Sequence, residues 1–494
     1  MNKRKSGVLL HITSLPGNEG IGTLGHDAFR FIDFLEECGQ KLWQILPLGP
    51  AGAGNSPYQC YSAFAGNPLL IDLELLAGEG LLPEESLNER PRFLRKRVDF
   101  ERVASWKLPL LKQSFATFKT VLFDTFQHEY WRFLDEHAWW LNDHALFMAA
   151  RRHFNLVSWN KWPDAVKFRD ADALHRLAAE LAEEIEFQKY LQFLFFRQWL
   201  RLKEYANNKQ IEIIGDVPLY VSGESSDIWA NTDIFLLDEK LNPTVVGGVP
   251  PDYFSETGQL WGNPVFDWNR LEERDYDWWL ARLHFNLRMF NCVRIDHFRG
   301  LESFWAVPAS EKTAINGAWM PAHGRQLLQK MKEHLGVLPF IAEDLGIITP
   351  EVDQLRDDFN LPGMKVLQFA FTTDAANKDL PHNYLPNFVV YTGTHDNDTT
   401  LGWLKALKGD EKELVVKYTG KPVEQQLSKV VEMAIASVAE TAILPMQDLL
   451  ELDSSARMNT PGTASGNWDW RFQWTQLKSA QKKRLKALTL KYNR

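Results

Sequence analysis

Eight short β-rich runs punctuate the chain, most of them ending on a polar residue: Gly7 to His11, Leu42 to Leu46, Ile213 to Asp216, Val293 to Asp296, Phe340 to Glu343, Lys365 to Phe369, Val389 to His395 and Ile443 to Gln447. Several are nearly continuous apolar stretches, the pattern of strands buried on both faces. Helical periodicity lies between them. Ala28, Phe31, Ile32 and Leu35 share one face of a helix from Ala28 to Cys38, with Asp27 placed as its N-cap and Gly39 as its stop. Leu427 to Ala439 and Asp172 to Ala206 read as further helices. Eight buried strands alternating with helices predict an α/β fold, a (β/α)8 TIM barrel. A doubly wound open sheet is the alternative, but no GxGxxG follows the first run.

The spacing of the runs is uneven. Two long intervals predict large, mostly helical subdomain insertions in the barrel loops. One spans about residues 50–205, after the second strand; the other spans about 218–290, after the third, and includes a loop at 247–261. The expectation is a single catalytic barrel over residues 1–494 carrying both insertions. A formal net charge of −9 argues against nucleic acid as the main partner, because phosphate binding needs a basic surface. The three cysteines, Cys38, Cys60 and Cys292, form no CxxC pair. No apolar run reaches the roughly 18 residues that a membrane span needs, and the first one stops at His11, too short for a signal peptide. These features lead us to expect a cytoplasmic protein with no membrane partner. The aromatic content is high, with 19 Trp, 31 Phe and 12 Tyr. Most such rings build core, but flat rings also stack on the C–H faces of sugars.

Barrel active sites lie at the C-terminal ends of the strands. Those ends are His11, Asp216, Asp296, Glu343 and Asp396, four of them carboxylates. Buried carboxylates are costly unless paired, so their convergence favours a catalytic reading over four separate structural acids. A pair of carboxylates in an aromatic cleft is the equipment of glycosidic bond cleavage. Arg294 and Asp296, two apart in a strand, face the same side, and the guanidinium is expected to favour the charged carboxylate. A buried structural ion pair is the alternative. Glu343 follows Phe340-Ile341-Ala342, an apolar setting that raises a carboxyl pKa and suits a proton donor. Asp344 is expected to point elsewhere. Gly393 to Thr400 reads either as a hydroxyl-binding segment or as an Asx-rich turn. Asp296-His297 and His395-Asp396 each pair two metal-ligand types, but strand neighbours face opposite ways, so no metal and no cofactor is expected.

At these residues the sequence resembles the 4-α-glucanotransferases known as amylomaltases or disproportionating enzymes, in the wider α-amylase clan. The resemblance runs over nearly the whole chain. It is carried by Leu10-His11-Ile12-Thr13-Ser14-Leu15-Pro16-Gly17, Ser56-Pro57-Tyr58-Gln59, Gly215-Asp216-Val217-Pro218, Gly248-Val249-Pro250-Pro251-Asp252-Tyr253-Phe254-Ser255, Trp261-Gly262-Asn263-Pro264, Arg294-Ile295-Asp296-His297-Phe298-Arg299-Gly300, Ala342-Glu343-Asp344-Leu345-Gly346, Gly393-Thr394-His395-Asp396-Asn397, Arg457-Met458-Asn459 and Gly466-Asn467-Trp468. Any one of these is weak; all of them in this order is specific.

The resemblance implies Asp296 as nucleophile, Glu343 as acid/base and Asp396 as a third acid that holds sugar hydroxyls. It implies substrate contacts at Tyr58, Ser56, Asp216, Asp252, Phe254, Trp261, Arg294, His395 and Asn467. It also implies the absence of the C-terminal β-sandwich domain found in amylases; only about 45 residues follow Asp448, too few for one. The implied partners are α-1,4-glucans as donors, with glucose or a glucan as acceptor. The loop at 247–261 is expected to help exclude water. An α-1,4-glucan hydrolase and a non-catalytic glucan-binding protein are the rival readings.

Overall fold

The computed structural model describes residues 4–251, 255–372 and 376–494. Each of the eight runs overlaps a strand of one parallel sheet, although the sixth, read as Lys365 to Phe369, is strand only up to Val366 and a 3-10 turn from Leu367 to Phe369. The strands are β1 (Lys5–Leu9), β2 (Leu42–Gln44), β3 (Glu212–Pro218), β6 (Cys292–Asp296), β9 (Phe340–Ala342), β10 (Gly363–Val366), β11 (Phe388–Tyr391) and β12 (Thr441–Pro445). Their spatial order is β10-β11-β12-β1-β2-β3-β6-β9, so chain order is kept around the sheet. The two ends of that row, β9 and β10, meet where Ala342 N donates to Pro362 O at 2.9 Å. Eight parallel strands thus form a nearly closed barrel, alternating with helices except between β10 and β11, where the described residues hold only the short 3-10 turns Leu367–Phe369 and Pro381–Asn383.

The strands read as apolar runs because the interior and the helix layer both exclude water: β2, β9, β10 and β11 are buried at every residue. Gly7 permits the β1–β2 contact, since a Cβ there would lie 2.4 Å from the Leu42 Cβ. Trp43, fully buried in β2, donates its indole N–H to Leu10 O at 2.8 Å, which fixes the chain leaving β1.

The first barrel helix spans His26–Glu37 and buries Ala28, Phe31, Ile32 and Leu35, the expected face. Its N-cap is Gly25, not Asp27; the Asp72 carboxylate packs against Gly25 and leaves no room for a Cβ. Asp27 falls in the first turn, where it suits the positive end of the helix. Gly39, at φ 74°, ends the helix in the left-handed region as foreseen. The helix read from Leu427 to Ala439 is Val423–Ala436. The stretch read as strongly helical from Asp172 to Ala206 holds two helices, Ala171–Glu180 and Ala182–Asn208, divided at Leu181.

The helical insertions lie between β2 and β3. Phe100–Thr117, Phe123–His153 and Ala182–Asn208 pack there, and the last is apolar around most of its girth. The interval between β3 and β6 adds two strands, β4 (Val245–Val249) and β5 (Gln259–Pro264), to its helices Ser226–Ala230, Trp268–Glu273 and Asp277–Met289. The two strands join β7 (Ser303–Pro308) and β8 (Ala318–Pro321), which follow β6, in an antiparallel sheet ordered β5-β4-β7-β8. The sequence reading did not anticipate this sheet, because its members are short and come from two separate barrel loops. Among the described residues no strand follows β12. No helix among them is long and apolar enough to cross a membrane.

Candidate active site

β3 and β6 are neighbours, with Asp216 opposite Arg294 and Pro218 opposite Asp296. This register puts two acids and one guanidinium at a single corner of the barrel mouth. Arg294 Nη1 donates to both Asp216 oxygens at 2.9 Å, and Nη2 lies 2.9 Å from Asp296 Oδ1. Tyr58, from the first insertion, donates its hydroxyl to Asp216 Oδ2 at 2.7 Å. The Asp216 and Arg294 side chains are 0% and 5% exposed, whereas Asp296 is 28% exposed, so Asp296 is the member of this group that a ligand can reach.

Glu343 follows β9, in register beside β6 through Ile295 and Ala342. Its carboxylate accepts the backbone N–H of His297 at 2.7 Å and that of Leu345 at 3.1 Å. His297 can present its N–H this way because it sits in the left-handed region, at φ 54° and ψ 49°. The bond ties Glu343 to the residue directly after Asp296. Asp344 turns away, as expected: it accepts from Met364 N at 2.7 Å and pairs with Arg356, sealing the β9–β10 seam.

Loss of water is the main cause that raises the pKa of Glu343, with the negative charge of Asp296 adding to it and Arg294 opposing. Asp296 is also raised by burial, opposed by Arg294 and His395 and reinforced by Asp216 and Asp396. The sequence reading expected Arg294 to hold Asp296 in its charged form. The structure shows why the effect is weaker: one guanidinium serves two carboxylates, and Asp216 takes two of its bonds. The Tyr58 hydroxyl is raised well above its usual value by burial and by Asp216, so it stays a neutral donor.

The segment after β11 brings His395 and Asp396 to the same mouth. The Tyr58 and His395 rings stack at 5.2 Å and 17°, and Trp468 tilts against both. Asp396 is 47% exposed, with its Oδ1 3.4 Å from His395 Nε2. Asn459 Nδ2 donates to that same oxygen at 2.6 Å. Arg457 bonds to Asp396 O at 2.6 Å and to Asn459 O at 2.7 Å, holding the two segments together. Asn459 and Arg457 were quoted in the sequence motifs without a role. Their only signal is a polar pair in a strand-free stretch, which says nothing of its partner.

Gly393 to Thr400 folds as a turn held by its own side chains: Asn397 Oδ1 accepts from Thr394 N at 2.8 Å and Thr394 Oγ1 accepts from Asp396 N at 3.3 Å. His11 lies just past β1, buried, its pKa lowered to about 3 by burial and by the charge of His395. Ser56 Oγ accepts from Tyr58 N at 3.3 Å and shapes the turn that carries Tyr58. Trp261, which the sequence reading put in a loop at 247–261, lies in β5 and meets His297 edge-on at 4.8 Å. Burial lowers His297 to about 3, so that ring is neutral. Asn467 is engaged within its own loop, accepting from Thr460 N and donating to Thr463. Asp252 and Phe254, with Tyr253, lie outside the described residues. Among the described residues no three His, Cys, Asp or Glu side chains gather as a metal-holding group.

Comparison with known proteins places the chain in a family. A family model described as 4-alpha-glucanotransferase matches residues 10–477. The 4-alpha-glucanotransferase of a Synechocystis strain is 49% identical, covering 100% of this chain and 99% of that protein. The 4-alpha-glucanotransferase of Thermus thermophilus is 48% identical, covering 98% of each. A solved amylomaltase from Streptococcus agalactiae, in complex with acarbose, superposes with a TM-score of 0.97 at 41% identity over the full length of both chains. The amylomaltase of Corynebacterium glutamicum, 18% identical, shares the fold with a TM-score of 0.81, covering 98% of this chain and 75% of that one. The chain therefore belongs to the 4-alpha-glucanotransferase family.

Proposed function

We infer that the protein is a retaining 4-α-glucanotransferase. It moves a segment of an α-1,4-glucan from a donor to the 4-hydroxyl of glucose or of another glucan. In this reading Asp296 attacks the anomeric carbon while Glu343 protonates the leaving oxygen, giving a covalent glycosyl-aspartate. Glu343 then takes the proton of the acceptor 4-hydroxyl, which displaces Asp296 and closes the new bond with retained configuration. Asp396 accepts hydrogen bonds from the sugar ring at the cleavage point. Tyr58, Trp261 and the Tyr58–His395 stack offer flat faces to it. Ser56 and Asp216 act through Tyr58, and Arg294 through Asp296. Asp252, Phe254 and Asn467 remain proposed groove residues.

The observation that carries this reading is the linked pair at the mouth of β6 and β9. The backbone bond from His297 to Glu343 ties the acid to the residue after the nucleophile, which keeps both carboxyls at one mouth of the barrel and suits a retaining pair. Glu343, raised by burial, keeps a proton to donate. We place both insertions, at about 50–205 and 218–290, within one catalytic unit spanning residues 1–494. Tyr58 from the first and Trp261 from the second support this, since both reach the barrel mouth. The cytoplasm is our proposed location, in keeping with three free cysteines.

Incubation with maltotriose tests the reading. Longer glucans plus glucose should appear with reducing ends nearly constant, and Asp296→Asn should be silent. A steady rise in reducing ends with only shorter products would mean hydrolysis and overturn it.

A further inference from the structure

A second cleft, of about 780 Å3 including its open mouth, lies between the helix Phe123–His153 and the helix Asp277–Met289. Its lining includes none of Asp216, Asp296, Glu343 and Asp396. Phe64, Trp139, Trp140 and Trp278 form its apolar side. Trp140 and Trp278 are buried, but Trp139 is 50% exposed. An isolated exposed tryptophan is ordinary; this one is locked, its ring standing edge-on to Phe64 at 4.8 Å and 77°. Phe64 is wedged in turn against Trp278 at 5.9 Å.

Facing these rings are carboxylates already fixed in place. Asp143 is held by Arg169 Nη2 at 2.6 Å, and Asp227 by the backbone N–H of Ala63 at 2.8 Å. Asp227 also accepts its own backbone N–H, and because a carboxylate offers about four acceptor positions both acids keep capacity for more. Fixed acceptors opposite a rigid aromatic wall are what a pyranose needs: hydroxyls for the first and a C–H face for the second.

We propose that this cleft is an accessory binding site for an α-glucan segment, which anchors long chains while another part of the chain occupies the barrel mouth. The choice of glucan rests on the transferase reading; the pyranose chemistry rests on the lining. The same short loop serves both places. Tyr58 reaches Asp216, while Ala63 and Phe64 meet the cleft. A chain bound in the cleft is therefore held beside the turn that positions Tyr58.

Calorimetric titration of Asp296→Asn with maltoheptaose tests the site without turnover. Two equivalents are expected, and Asp296→Asn/Trp139→Ala should keep only one. In the otherwise native enzyme, Trp139→Ala should leave transfer on maltotriose unchanged. It should raise KM for long amylose about tenfold, the scale of losing one stacking face. Trp139→Phe should recover part of that loss, which a folding defect would not. A single equivalent insensitive to Trp139→Ala would overturn the cleft and leave the transferase reading intact. Failure of the native enzyme to disproportionate maltotriose would sink that reading, while a Trp139-dependent equivalent would still establish the cleft.

Discussion

Asn459 shows how a residue outside the barrel strands can govern one at their mouth. Its amide donates to the Asp396 carboxylate at 2.6 Å, and Arg457 holds both backbones in place. A hydrogen bond to a charged group contributes about 1.5–3 kcal/mol. If Asp396 grips the distorted sugar, loss of that donor should appear in kcat more than in KM. We expect Asn459→Ala to lower kcat between about tenfold and a hundredfold with little change in thermal stability. Steady-state kinetics on maltotriose, with a melting curve on the same protein, check this. An unchanged kcat would mean that Asp396 needs no orientation by Asn459.

At the scale of elements, the first insertion is fastened to the barrel by a buried charge pair. Lys107, fully buried on the helix Phe100–Thr117, meets Glu19 Oε2 at 2.5 Å and donates to Leu69 O at 2.9 Å. Glu19 also accepts from Leu73 N at 2.9 Å, and burial raises its pKa despite the lysine. Removing one partner leaves the other charged and dry, so Lys107→Met should destabilise the protein by about 3–5 kcal/mol near neutral pH. The sign with pH follows from Glu19. Its folded-state pKa, already raised, rises further without the lysine. The penalty is then absent below the unfolded carboxylate value and grows as pH increases through the folded one. Denaturant unfolding of the variant at acid and neutral pH measures it. An equal loss at both would show that packing, not charge, dominates.

For the whole molecule, the paired carboxylates set a pH profile. Asp296 must be charged to attack and Glu343 must hold a proton, so the rate falls below the first titration and above the second. Both groups are shifted upward by burial. Both limbs of the bell in kcat/KM should therefore lie above the ordinary carboxylate range, and each apparent pKa belongs to the pair rather than to one residue. Initial rates across pH in a constant-ionic-strength buffer give the profile. An acid limb at the ordinary aspartate value would mean that Arg294 outweighs burial at Asp296.

The parts legible in the sequence were those governed by local pattern. Eight apolar runs and the helices between them specified the barrel, because a strand buried on both faces must be apolar along its length. The polar residues that follow the runs at Asp216, Asp296 and Glu343 marked the mouth, since the barrel leaves polar side chains few other places near its axis. What only the tertiary structure decided were relations between distant residues. Gly25 rather than Asp27 caps the first helix because Asp72, far along the chain, occupies the space beside it. The β5-β4-β7-β8 sheet draws on two loops, so neither half announces it. The Asp396–Asn459 contact spans 63 residues, and the division of Arg294 between Asp216 and Asp296 needs β3 and β6 side by side in one register. Periodicity reports the face that a residue turns to its surroundings; which partner waits there is settled only when the strands close.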